Sequence, residues 1–335
     1  MNPIPSPSFS RVAIVGAGAI GGWLGVHLAR AGCEVSALAR GETLAALQRS
    51  GLQLRSGETS LQVPVTASSS SAELGVQDLV IVAVKAPALA DVARLIGPLL
   101  DANTVVLTAM NGVPWWFLDG FGGVLAGTSL ASVDPGGQIA HDIPVRHVIG
   151  GVVHASCSVD APGVVRHHFG NGLILGEPVG GASERVSALA MLLQQAGFNA
   201  SVSPQIQKDI WYKLWGNMTV NPISALTGAT TDRILSDELV RGFVSAVMLE
   251  AKAVGERLGI PIDQQPEDRH AVTRKLGAFK TSMLQDVVAR KPVELDALVS
   301  SVRELGQLTG VATPFTDALL GLSRLQAQTL GLYPG

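Results

Sequence analysis

Charge is scarce in this chain. Asp, Glu, Lys and Arg make up 15% of its 335 residues and the formal net charge is −3. A near-neutral balance without any Lys/Arg run leaves no electrostatic footprint for nucleic acid. Cysteine is scarcer still. Cys33 and Cys157 are the two present, too few for a disulfide framework and not arranged as a CxxC pair, so both are expected to be reduced. No apolar run approaches the ~18 residues that a membrane-spanning helix needs. The opening MNPIPSPSFS is rich in Pro and Ser. It has neither the basic nor the apolar region of a signal peptide, so it reads as a frayed tail on a cytoplasmic protein. No metal site is read.

Hydrophobic residues (47%) and glycine (38 residues) are abundant instead. A chain of this length exceeds what a single core usually reaches, so two domains are expected. The glycines are most informative where they cluster. In VAIVGAGAIGGWLGVHLARAGCEVSALAR, residues 12–40, a β-branched run leads into Gly16-Ala17-Gly18-Ala19-Ile20-Gly21, and an apolar-periodic helix and a second strand follow. This is GxGxxG in the strand–turn–helix setting that gives the motif its meaning. Gly16 permits the tight turn, Gly18 lets backbone approach a pyrophosphate, and Gly21 lets helix and strand pack closely. Where an NAD site places an acid for the ribose 2′-hydroxyl, this chain reads Leu38-Ala39-Arg40-Gly41. The planar donor fork of Arg40 suits a 2′-phosphate, so NADP(H) is favoured over NAD.

Strand and helix signals alternate through the first 203 residues. Strands are expected at Leu52–Leu54, Leu61–Val65, Leu79–Val84, Thr104–Thr108, Val148–Val153, Gly163–His168, Leu173–Leu175 and Ala200–Val202, with helices at Pro87–Leu100 and Ser183–Ala196. This pattern predicts a Rossmann-type doubly wound α/β sheet over 1–203. From Pro204 onward the periodicity is helical: Ile206–Val220, Asp237–Arg257, Pro266–Leu276, Leu295–Leu308 and Pro314–Gln328. A C-terminal all-helical domain over 204–335 follows. The stretch 113–150, rich in Gly and aromatics and including Trp115 and Trp116, has no clear period and reads as a lid or binding loop.

Lys85 and Asn111 each follow a buried strand, at the sheet edge where ligands bind in doubly wound folds. Lys85 alone could equally be a surface charge, and Asn111-Gly112 is also an ordinary turn signal. In IWYKLWGNMTVNPISALTG, Lys213, Asn217 and Asn221 recur every four residues among apolar neighbours, sharing one helix face. That face is either a site or a solvated polar stripe, and Pro222 predicts a break or kink beside it. Further on, Ser282 lies in SMLQD, and Glu294 lies in the first turn of a helix restarted by Pro292. A carboxylate is favoured there by the helix dipole alone.

Taken together, VGAGAIG, VAVKA, the strand ending MNG, KLWGNMTVNPISALTG, and SMLQD followed by ELD resemble the ketopantoate reductase (2-dehydropantoate 2-reductase) family over nearly the whole chain. The resemblance implies NADPH-dependent reduction of 2-dehydropantoate to pantoate, a step toward pantothenate and coenzyme A. It implies Lys213 as catalytic acid and Glu294 as the carboxylate that binds and orients substrate. Asn217 and Asn221 would hold hydroxyl or carbonyl groups, Ser282 the substrate carboxylate, and Asn111 the junction of nicotinamide and substrate. Arg40 and Lys85 would serve the cofactor. The expected partners are then a small 2-keto acid and, for an apolar helical domain, a second copy as a homodimer. Two departures stand out. The family often continues its Glu-Ile-Asp segment with Asn-Gly, where this chain reads Glu294-Leu295-Asp296-Ala297-Leu298-Val299-Ser300, and Trp115-Trp116 open a longer insertion. These raise a bulkier 2-keto acid as the alternative substrate, against the plainer reading that Trp115 and Trp116 pack the insertion onto the domain or a second subunit. A non-catalytic dinucleotide sensor is a reading of another class, and a basic helix-turn-helix that would support it is not seen. Dehydrogenases of the 6-phosphogluconate and hydroxyisobutyrate type also carry Lys and Asn on one helix, but the SMLQD–ELD segment sets this chain apart.

Overall fold

The computed structural model describes residues 9–334. Most of the expected N-terminal tail lies outside them. Its last two residues are not frayed: Phe9 is buried, and the Ser10 N–H donates to the Asp78 carboxylate. Ten strands form one mixed sheet: β1 Arg11–Val15, β2 Glu34–Leu38, β3 Leu52–Ser56, β4 Thr59–Val63, β5 Thr66–Ser68, β6 Leu79–Val82, β7 Val105–Thr108, β8 Val148–Ala161, β9 Val164–Gly176 and β10 Asn199–Val202. The α-helices are α1 Ala19–Arg30, α2 Gly41–Ser50, α3 Ser71–Leu74, α4 Leu89–Ile96, α5 Gln138–Asp142, α6 Glu184–Gln195, α7 Ile206–Thr227, α8 Thr231–Ser236, α9 Glu238–Arg257, α10 Pro266–Arg274, α11 Ser282–Val288, α12 Ser301–Thr309 and α13 Pro314–Thr329.

The chain gathers into two compact units. One is the chain up to Met110 with Gly137–Ile206, and the other is Asn111–Gly136 with the chain from Gln207 onward. The sequence sets a single boundary near 203, whereas the observed crossing is at 206/207 and 111–136 belongs with the helices. The physical reason lies in that segment's side chains. Trp115, Trp116, Phe117 and Leu118 are buried, and the Glu304 carboxylate of α12 accepts from the Ala131 and Ser132 N–H groups at 2.8 Å. A stretch that looks like a loop by periodicity is therefore core by composition.

The first unit carries the sheet, in the order β4-β3-β9-β8-β7-β6-β1-β2-β5 with β10 also on β9. From β7 through β6, β1 and β2 to β5 every pairing is parallel, the Rossmann arrangement. β6 and β7 are buried at every position, which is why they read as unbroken apolar runs. The expected strands Gly163–His168 and Leu173–Leu175 are one strand, β9. Gly170, at φ +80, punctuates it where register shifts mark a bulge against β8, so a turn-like signal lies inside a continuous ladder. The expected helix Pro87–Leu100 is instead α4 flanked by two 3₁₀ turns. Each turn carries a proline near its start, where the missing N–H is harmless.

In the second unit α9 packs against α8, α10, α12 and α13. α7 joins it through Trp215, whose Nε1–H donates to the Met248 carbonyl at 2.7 Å. Pro222 does not end α7, which runs to Thr227 with the proline inside. Met218, Thr219, Val220, Asn221 and Ile223 around it are all buried. Their packing outweighs the one backbone hydrogen bond that proline removes.

Candidate active site

The glycine loop takes the form its spacing requires. Gly16 sits at φ +96, and a Cβ there would lie 2.7 Å from the Val84 side chain. A Cβ on Gly21 would lie 2.1 Å from the Gly16 carbonyl oxygen, whereas one on Gly18 would meet nothing within 4 Å. Gly16 and Gly21 are thus required by the fold itself, and Gly18 is not. Ala17 leads to Gly18, which opens α1 with no side-chain cap, and Ala19 and Ile20 begin a first turn containing no acid. The N–H groups at a helix start need acceptors. Uncapped donors, positive helix-end potential and open space before Gly18 together fit a pyrophosphate. Arg40 is exposed and immediately precedes α2, just beyond the end of β2. Lys85 is half-buried at the start of the 3₁₀ turn after β6.

A second constellation lies wholly within the helical unit. The Lys213 ammonium donates to Asn111 Oδ1 at 2.8 Å. Gly112, at φ +84, seats this loop against the turn that follows Glu294: a Cβ there would be 2.4 Å from the Ala297 carbonyl oxygen. That same oxygen accepts the Val113 N–H at 2.8 Å and the Ser301 hydroxyl at 2.9 Å. Asp296–Ser300 forms a π turn, a geometry that leaves carbonyls available to such outside donors and recurs at functional sites. Glu294 itself is buried and stands just before the helical residues rather than in their first turn. Its segment is held by the end of the chain. The Val293 N–H donates to the Leu332 carbonyl, and the Tyr333 hydroxyl donates to Asp296 Oδ1 at 2.6 Å.

The structure therefore brings Asn111, Lys213 and Glu294 together from three distant segments. The Lys213 pKa is lowered to about 8, chiefly by burial, with the Glu294 charge opposing the shift and the Arg269 charge adding to it. An ammonium in this state is mostly protonated near neutrality and gives up its proton readily. Asn217 is half-buried one turn beyond Lys213, and Asn221 is buried a turn further. Ser282 is exposed at the first position of α11, behind the Thr281 hydroxyl that accepts from the Leu284 N–H. Trp115 and Trp116 are packed in the core, and Phe117 beside them lies 6.1 Å from the Trp211 ring.

Sequence reasoning missed Arg269. Its guanidinium carbon lies 5.3 Å from the Tyr212 ring centroid, across Gly216, where a Cβ would come within 2.6 Å of its Nε. The glycine inside an otherwise well-formed helix was the available signal. Away from these residues stand two half-buried thiols. Burial pushes the Cys157 thiol up to about 12 and also raises that of Cys33.

Comparison with known proteins gives the family. The family model described as Ketopantoate reductase PanE/ApbA matches residues 12–115, and Ketopantoate reductase PanE/ApbA C terminal matches 205–327. The chain is 48% identical to a 2-dehydropantoate 2-reductase of Mesorhizobium japonicum, covering 96% of this chain and 99% of that one. A crystal structure from Ralstonia solanacearum MolK2, provisionally named a ketopantoate reductase, is 58% identical at a TM-score of 0.94, over 97% of this chain and 100% of that one. A 2-dehydropantoate 2-reductase structure from Methylococcus capsulatus is 29% identical at a TM-score of 0.81, over 96% and 97% of the two chains.

Proposed function

The chain belongs to the ketopantoate reductase family of dinucleotide-binding oxidoreductases, and on that premise we propose that it reduces 2-dehydropantoate to pantoate with NADPH. One observation carries the reading: a half-buried lysine, Lys213, whose ammonium donates to Asn111 beside the carboxylate of Glu294, with its pKa lowered to about 8. Reduction of a 2-oxo carbon builds negative charge on the C2 oxygen, which needs a positioned proton. Lys213 supplies it from Nζ, and Asn111 fixes the direction of that ammonium. Glu294 keeps Lys213 protonated near neutrality by opposing its desolvation, and its carboxylate accepts a substrate hydroxyl. Asn217 and Asn221 present amides on the same helix, and Ser282 presents a hydroxyl to the substrate carboxylate.

The residues Gly16 to Gly21 would hold the pyrophosphate, Arg40 the 2′-phosphate, and Lys85 the cofactor edge of the sheet. When bound there, NADPH supplies the hydride. The product places the enzyme in the route to pantothenate and coenzyme A, and a homodimer is the expected assembly. The test is the loss of NADPH absorbance with purified protein and 2-dehydropantoate, beside NADH and a panel of 2-oxo acids. Turnover that prefers 2-dehydropantoate and NADPH is expected. Turnover of another 2-oxo acid alone overturns the substrate, and none across the panel with NADPH still bound overturns the reaction.

A further inference from the structure

Arg269 is a cation braced on an aromatic ring rather than paired with a carboxylate among the described residues. Its Nε is buried without a hydrogen-bond partner, a costly state for a charged donor. Its guanidinium is braced on the face of Tyr212, and only the missing side chain of Gly216 lets it lie so close to α7. Tyr212, Lys213, Gly216 and Asn217 are neighbours at helical spacing, so Arg269 covers the surface beside the Lys213 ammonium. Near Lys213 the charges that act on it are one carboxylate, Glu294, and one further cation, Arg269. Two cations against one anion leave this corner with a net positive charge that a monoanionic ligand would neutralise.

The chemistry of a 2-oxo acid asks for such a pair. Its carbonyl oxygen and its carboxylate are on adjacent carbons, so a cation serving each must sit side by side. A guanidinium presents parallel donors that match a carboxylate, which an ammonium does not. We propose that Arg269 is a substrate-binding residue that takes the carboxylate of the 2-oxo acid while Lys213 takes its carbonyl oxygen. This assignment rests on the reading of the site as a 2-oxo acid reductase. It explains why a second cation is tolerated beside Lys213: the bound carboxylate offsets the charge of both. It also makes Gly216 a specificity position, because any side chain there displaces the guanidinium.

The experiment measures binding of pantoate and of its neutral methylamide by calorimetry in the presence of NADP, for the wild type, Arg269→Gln, Arg269→Lys and Gly216→Ala. Arg269→Gln should weaken pantoate binding by about 10-fold or more and leave the methylamide unchanged. It should raise the KM for 2-dehydropantoate more than it lowers kcat. Arg269→Lys should recover part of the loss, and Gly216→Ala should reproduce the glutamine variant with the arginine still present. Equal losses for acid and amide, or no loss for either, overturn the role of Arg269 and leave the assigned reaction standing. So does a variant whose pH profile moves to higher pH with KM unchanged, because Arg269 would then act only through the charge on Lys213. A wild-type protein that binds no 2-hydroxy acid overturns the reaction itself, and the role of Arg269 with it.

Discussion

The glycine loop at 16–21 and the Lys213 cluster both present positive potential, one from backbone and the other from side chains. α1 opens on Gly18 with no cap and no acid in its first turn. The start of α6 is satisfied by Ser183, that of α9 by Asp237 and that of α11 by Thr281. α13 borrows the Glu250 carboxylate, which accepts from the Phe315 and Thr316 N–H groups at 2.8 Å. Leaving the start of α1 open would make a site by omission, through a contiguous loop in which three of six residues are glycine. The Lys213 cluster is created by assembly, through Asn111, Gly112 on Ala297, and the Glu294 segment. Damage to the first should therefore show in cofactor affinity, and damage to the second in chemistry and substrate binding.

The largest test of this contrast is Lys213→Ala. Loss of a general acid lowers kcat by about 10²–10⁴-fold, while NADPH binding measured by fluorescence should be unchanged. An unchanged kcat would remove Lys213 from the chemistry. Within the glycine loop a pair of variants separates folding from binding. Gly21→Ala drives a Cβ into the Gly16 carbonyl and should lower the unfolding temperature. Gly18→Ala meets open space in the protein, so its thermal midpoint should match the wild type while NADPH binds at least about 10-fold more weakly. If Gly18→Ala binds NADPH normally, the open helix start is not the cofactor site.

A smaller effect separates the two regions by pH. The Glu294 charge raises the Lys213 pKa, which stands at about 8. Without that charge the pKa falls, so a lysine needed in its protonated form is lost at lower pH. Glu294→Gln should therefore move the alkaline decline of kcat/KM to lower pH and raise KM. Arg40→Ala should leave that profile alone and narrow the preference for NADPH over NADH, as measured by the ratio of kcat/KM values. An unmoved alkaline limb in Glu294→Gln would uncouple the two groups.

What could be read in the chain follows the same division. The loop is legible because its meaning is local: a strand, three spaced glycines and a helix are contiguous, and the parallel strands beside it are unbroken apolar runs. Helix starts were legible for the same reason, since Ser183 and Asp237 sit one residue before the helices they cap. Lys213, Asn217 and Asn221 were visible as a polar stripe among tryptophans, but spacing alone left that stripe ambiguous between a site and a solvated face. Its junction with Asn111, 102 residues from Lys213, depends on a turn that only a glycine at φ +84 can make. The placement of 111–136 among the helices was illegible because its aromatic run has no period. Arg269 was illegible because it stands in a charged run, Glu267-Asp268-Arg269-His270, that reads as an ordinary solvated face, and the clue, Gly216, lies on another helix.

The least effect, and the finest discrimination, belongs to the end of the chain. Tyr333 donates to Asp296 Oδ1 at 2.6 Å, and Ser300 donates to the same oxygen at 2.9 Å. Tyr333→Phe removes the first bond and keeps the second, and a hydrogen bond to a carboxylate contributes about 1–2 kcal/mol in a partly buried setting. Urea unfolding should register a loss of that order. If the C-terminal clasp merely stabilises the helical unit, KM and the pH profile will stay where they are. If it holds Glu294 at the distance from Lys213 that sets the ammonium's pKa, KM will rise and the alkaline limb will move in the direction of Glu294→Gln, by less. The second outcome is expected. Val293 and Asp296, on either side of Glu294, are both tied to the residues at 332–333, so loosening one tie displaces the carboxylate before it unfolds the helix.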